Sequence, residues 1–128
     1  MSQTPTLRVD PDATAGSAAI RAAAAAGVQS LFTLSGAHVF PLYDAAYRGA
    51  RPLRIIDVRH EASAVFAAEA VGKLTRTPGF AVVTAGPGVT NAVSPVTQAY
   101  FNGAPLVLFG GRAPEFTWGR GALQELDQ

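Results

Sequence analysis

No cysteine occurs in the 128 residues, which excludes disulfides, thiolate chemistry and cysteine-ligated zinc and permits a reducing compartment. Histidine is nearly absent too. His38 and His60 alone are too few for a histidine-type zinc site, which takes three or four protein ligands, so no metal site is expected in this chain. Charge is sparse at 15% of residues, and Lys+Arg 10 against Asp+Glu 9 leaves a net +1. The basic residues are scattered, so no stripe is offered to a phosphate backbone and nucleic acid is not an expected partner. No apolar run approaches the ~18 residues that a membrane-spanning helix needs. The opening MSQTPTLRVDPDATAGS lacks a basic region followed by an apolar core, so it does not read as a secretory signal. Its polarity suggests a flexible arm over residues 1–12 of a cytoplasmic protein. Neither the spacing of a nucleotide-binding P-loop nor a dinucleotide fingerprint is present, and Ser35 lacks the G-x-S-x-G context of a hydrolase nucleophile.

What is present is a chain of single-domain length with an apolar content of 48%. Ordinary apolar content beside so little charge implies that part of the surface is covered, by a second copy or by further polypeptide. From residue 13 the run SAAIRAAAAAG reads as a helix stopped by Gly27. Residues 28–34 (VQSLFTL) read as a strand, and residues 38–47 as a helix with Val39, Leu42, Tyr43 and Ala46 at helical spacing. The pattern repeats with a strand over 53–58 and a helix over 61–74 that is apolar on almost every side and so expected to be buried on several faces. A third strand over 80–84 runs into Gly86-Pro87-Gly88, which opens a helix to about Tyr100. A fourth strand over 105–109 precedes a loop-like tail. Short apolar strands alternating with helices define an α/β domain, a parallel sheet with helices on both faces joined by right-handed crossovers.

In such sheets ligands bind beyond the carboxyl ends of the strands, where this sequence places four small or polar clusters: 35–38, 59–61, 85–88 and 110–112. Glu61 begins a helix too apolar for an exposed surface. It either complements the helix dipole or serves as a half-buried acid. Gly86-Pro87-Gly88 followed by Thr90-Asn91 suits a phosphate at a helix amino end, a flat apolar ligand stacked on Pro87, or simply a close helix-to-sheet turn. His38 and His60 read as helix-start or packing residues. Glu69 and Lys73 have the spacing of a helix-stabilising ion pair, and Trp118 either covers a partner or packs locally.

Four segments, LFTLSGAHVFPLYDA, IDVRHEASAVFAAEA, VVTAGPGVTNAVSPV and PLVLFGGRAPEFTWGRGALQELD, come in an order and spacing that resembles the start of thiamine diphosphate enzymes, in the branch of acetohydroxyacid synthases and 2-hydroxyacyl-CoA lyases. The resemblance implies the pyrimidine domain of the thiamine diphosphate-binding fold, here over residues 13–128 and incomplete at its C-terminus. Glu61 of the R-H-E segment would then be the catalytic acid. Hydrogen-bonded to the aminopyrimidine ring, it lets the exocyclic nitrogen take the thiazolium proton. Pro87 and Asn91 would line the pyrimidine pocket, and Ser35, Gly36 and Gln124 would approach the cofactor. Ala37 and His38 would lie in the substrate loop, with Ala37 standing where many family members have a second glycine.

The family's middle domain and its diphosphate-binding domain, with a G-D-G…N magnesium motif, have no counterpart in this sequence, which therefore reads as a fragment. Magnesium would accompany the diphosphate, and FAD in a longer parent is left open. The expected partners are a second copy, as a homodimer or homotetramer, and a 2-keto acid substrate. The implied activity is acetolactate formation from pyruvate. An oxalyl-CoA decarboxylase or 2-hydroxyacyl-CoA lyase type enzyme is the near alternative, a non-catalytic binding module of the same fold the distant one.

Overall fold

The computed structural model describes residues 14–49 and 52–128, and the arm expected over residues 1–12 lies outside them. Helix α1 (Ala15–Ala25) starts where the Thr14 side chain accepts from the Ser17 N–H at 3.1 Å. Strand β1 (Ser30–Thr33) follows Gly27, and a short 3-10 turn (Ala37–Val39) leads into α2 (Phe40–Arg48), whose first turn tolerates Pro41. After β2 (Arg54–Asp57), His60 caps α3 (Glu61–Thr75) by accepting from the Ala62 N–H through Nδ1 at 3.1 Å. Strand β3 (Gly79–Val83), helices α4 (Pro87–Asn91) and α5 (Val93–Asn102) and strand β4 (Leu106–Gly110) complete the regular elements.

The four strands are parallel, in the order β2-β1-β3-β4. Alternation along each strand sends Leu31, Phe80 and Val82 to one face, where they pack with Ile20 and Ala23 of α1 and Leu42 and Ala46 of α2. Phe32, Ala81 and Val83 face the other way and pack with Ala64, Val65 and Ala68 of α3 and with Ala92. Helices thus cover both faces, as the strand–helix alternation implies. Burying each of Leu31, Val65 and Phe80 contributes about 1.5–3 kcal/mol, so the central strands form a firm floor under the loops at their ends.

Three details differ from the sequence reading. The helix opened by Pro87 is two helices, because Pro95 has no N–H to return to the Asn91 carbonyl and the chain breaks at Ala92. Helix α3, expected to be buried on several faces, buries one stripe through Glu61, Ala64, Val65, Ala68, Glu69 and Gly72, while Phe66 is 40% exposed and Leu74 84%. Finally, Glu69 forms no pair with Lys73. Its carboxylate is buried at 3% exposure and accepts from Gln98 Nε2 and Asn102 Nδ2 of α5, both at 2.7 Å, while Lys73 points to solvent. Inward-facing amides outcompete a surface ion pair, which is worth only about 0.3–0.5 kcal/mol on a helix.

Candidate functional site

From β1 the chain moves outward to β2 on one side and then crosses to β3 on the other. The loops leaving β1 and β3 therefore diverge, and the gap between them is the topological switch point where sheets of this type take ligands. Of the residues singled out from the sequence, Glu61 and Asn91 form one group there, and Gly36, His38 and Gln124 form another.

The first group surrounds Glu61. As the first residue of α3 it stands at the positive end of the helix dipole, and it is only 7% exposed. Oε2 accepts from Asn91 Nδ2, at the end of α4, at 2.9 Å. Oε1 receives no hydrogen bond among the described residues, and a methyl group on Gly88 would stand 3.6 Å from it. One oxygen is thus held while the other is open to a polar group from outside the chain.

The second group surrounds Thr84, immediately past β3 and 6% exposed. His38 Nδ1 lies 3.1 Å from Thr84 Oγ1, which donates to Gln124 Oε1 at 3.2 Å. Gly36 approaches so closely that a methyl group there would overlap the Thr84 side chain, and one on Gly88 would reach 2.8 Å from Thr84 Cγ2. Gly88 therefore stands between the two groups. The last ten residues bend back over the ends of β3 and β4: the Gly86 N–H donates to Gln128 Oε1 at 3.2 Å, and Gln128 Nε2 donates to the Gly111 carbonyl at 2.6 Å. Gly86 has φ +59, which lets its backbone lie against Gln124, itself left-handed at φ 56.

Ser35, Ala37 and Pro87 are exposed on the flanking loops, and no hydrogen bond ties the Ser35 hydroxyl to either group among the described residues. Thr84 and Gln128 were not singled out from the sequence. Thr84 closes a β-branched run and looks like strand, and its only signal is the set of glycines that must give it room. Trp118 packs locally, with the Arg112 guanidinium 4.0 Å above its ring. A hollow of about 480 Å³ between α1 and α2, lined by Ile20, Ala24 and Ala45 among others, contains no acid or acceptor set comparable to the one at the switch point.

A parallel α/β sheet with a buried carboxylate at its switch point, one oxygen braced and one open, is a ligand-binding domain suited to a ring nitrogen or amine. It is poorly suited to cradling a phosphate, since α4 is a five-residue helix that begins with a proline lacking an N–H. Residues 13–128 match the family described as thiamine pyrophosphate enzyme, N-terminal TPP binding domain, and the chain belongs to that family. An acetolactate synthase large subunit of Mycobacterium tuberculosis is 50% identical over 113 residues, 88% of this chain and 20% of that protein. The 2-hydroxyacyl-CoA lyase 2 of Xenopus laevis is 54% identical over 101 residues, 79% of this chain and 15% of that protein. The human 2-hydroxyacyl-CoA lyase 2 is 47% identical over 102 residues, 80% of this chain and 16% of that protein. The chain thus spans about a fifth or less of the length of these relatives.

Proposed function

We propose that this chain is the pyrimidine-binding part of a thiamine diphosphate-dependent enzyme that decarboxylates and joins 2-keto acids, forming acetolactate from two molecules of pyruvate. The carrying observation is the Glu61 carboxylate, buried, braced at Oε2 by Asn91 and open at Oε1. A carboxyl group held at one oxygen and open at the other can meet a ring nitrogen of an aminopyrimidine once it carries a proton. When bound, the cofactor supplies a nucleophilic thiazolium carbon and an electron sink for the pair released as carbon dioxide leaves.

The chain's own residues do the rest. Glu61 holds a proton at Oε1 for the ring nitrogen, and Asn91 keeps the carboxyl from turning away. Pro87, exposed at the start of α4, would line the pocket of the ring. Ser35, Gly36, Ala37 and His38 border the reacting end, and Gln124 offers its carboxamide there. Magnesium accompanies the diphosphate in this reading, absorbance spectroscopy on a full-length protein carrying this domain tests for a flavin, and a cytoplasmic location fits the cysteine-free sequence. A homodimer fits the apolar side chains that α3 and α5 turn to solvent, including Phe66, Val93, Tyr100 and Phe101.

Cleavage of a 2-hydroxyacyl-CoA is the second reading, favoured by the 47% to 54% identity to lyases of that name. In a full-length protein carrying this domain, Glu61→Gln is expected to lower turnover by about 10²–10⁴-fold. Cofactor affinity, measured by calorimetry, should change far less. Turnover unaffected by Glu61→Gln would overturn the catalytic reading, and pyruvate assayed beside a 2-hydroxyacyl-CoA separates the two substrates. The 128-residue chain by itself is expected to form no acetolactate, since its sequence has no G-D-G…N motif for the diphosphate end.

A further inference from the structure

A hydroxyl group carries one proton, and this settles where the protons lie around Thr84. Thr84 Oγ1 donates to Gln124 Oε1 at 3.2 Å, and His38 Nδ1 lies 3.1 Å from the same hydroxyl oxygen. With its own proton committed to Gln124, Oγ1 can only accept from the imidazole. In the neutral ring His38 Nδ1 must therefore carry the proton, which leaves Nε2 with a lone pair. The other histidine is set the opposite way. His60 Nδ1 accepts from the Ala62 N–H at 3.1 Å, so neutral His60 is protonated at Nε2.

The Thr84 hydroxyl has no freedom to choose otherwise. Its β-branched side chain has few χ1 wells, it is 6% exposed, and glycine backbone presses on it from Gly36 on one side and Gly88 on the other. His38 is confined as well, since a methyl group on Gly111 would stand 2.6 Å from its Cβ.

We propose that Thr84 is a positioning residue: its caged hydroxyl fixes His38 as the Nδ1–H tautomer and turns the Gln124 carboxamide so that its NH2 group stays free. Two side chains anchored on one hydroxyl then carry an unused acceptor, His38 Nε2, and an unused donor, Gln124 Nε2. A ligand with a hydroxyl next to a carbonyl would complement such an acceptor and donor, and a hydroxyl-bearing keto acid and a 2-hydroxyacyl thioester share that chemistry. The ligand class rests on the function proposed above, whereas the tautomer does not.

The test is two-bond ¹⁵N–¹H correlation NMR on the 128-residue chain, labelled at histidine, at about pH 8.5, well above the ordinary imidazole value of about 6.5. Two histidines with opposite protonation patterns are expected, His38 at Nδ1 and His60 at Nε2, assigned with a His60→Asn variant. Thr84→Val keeps the side-chain shape and should abolish the His38 pattern while leaving that of His60, whose cap exists only in the folded chain and so reports folding. Thr84→Ser should restore the His38 pattern. His38 protonated at Nε2 in the unaltered chain would mean that Gln124 turns its NH2 to Thr84, and the proposal would fall. It would fall equally if Thr84→Val left His38 unchanged. Should Thr84→Val not fold, the unaltered chain and Thr84→Ser still decide the tautomer. Neither result depends on which substrate the longer enzyme takes.

Discussion

At the scale of single residues, Tyr43 and Thr33 share a hydroxyl network that is largely out of water. Thr33 Oγ1 lies 2.6 Å from both the Val82 carbonyl and the Tyr43 hydroxyl, and that hydroxyl also lies 3.3 Å from the Leu34 carbonyl, so two protons serve three contacts. Burial pushes the Tyr43 phenol above its ordinary value, the hydrogen bonds to Thr33 and Gly36 pull it back in part, and the Asp57 carboxylate adds an upward push. A group whose folded value is raised contributes stability that is whole below its unfolded value and is lost as pH rises through the folded one. For a tyrosine that window opens at about pH 10. The denaturant midpoint of the unaltered chain should therefore fall more steeply than that of Tyr43→Phe above this pH, and parallel curves would contradict the assignment. Glu61, Asn91, His38 and Gln124 were singled out through the segments that carry the family resemblance, and the structure brings them to the same end of the sheet. Thr33 and Thr84 were not singled out, because a threonine ending a β-branched run is indistinguishable from any other strand residue until its neighbours in space are known.

Between elements, the contact that most rewards scrutiny is the one misread from the sequence. Glu69 and Lys73 have helical spacing, but Gln98 and Asn102, 29 and 33 residues downstream, take the carboxylate instead. Local spacing shows only partners on the same helix, and burial decides between those and distant ones. Glu69→Ala should cost about 3 kcal/mol in chemical denaturation, since hydrogen bonds to a charged group contribute about 1.5–3 kcal/mol each and their partners here are themselves exposed. Lys73→Ala should stay within about 0.5 kcal/mol. Equal losses would restore the ion pair. The strands and the first three helices were legible from periodicity and from their glycine and histidine boundaries. The break at Ala92 could have been suspected from Pro95, which lies in the first turn of α5.

For the whole molecule, alternation of strands and helices was enough to give the α/β class, but the strand order was not readable, because nothing local says on which side of β1 the chain will land. The surface was legible in outline. Sparse charge implied covered area, and the structure places much of the exposed apolar surface on α3 and α5, where Leu74 is 84% and Tyr100 and Phe101 are each 80% exposed. If self-association uses this layer, Tyr100→Asp with Phe101→Asp should shift the chain to monomer in sedimentation velocity at concentrations where the unaltered chain is dimeric. An unaltered chain that stays monomeric throughout would remove the argument for a dimer through this face.

The strand order also bears on how the protein is made. β1 leaves the ribosome first, β2 joins one of its edges, β3 the other, and β4 the outer edge of β3. Each newcomer adds to an edge already formed, and no later strand has to be threaded between two earlier ones. The sheet can therefore grow in the direction of translation, at the pace at which the chain emerges. Glu61 meets that schedule half prepared: its helix can form early, but the amide that braces it belongs to Asn91, 30 residues later, so the acid is assembled only once the far side of the crevice has been synthesised.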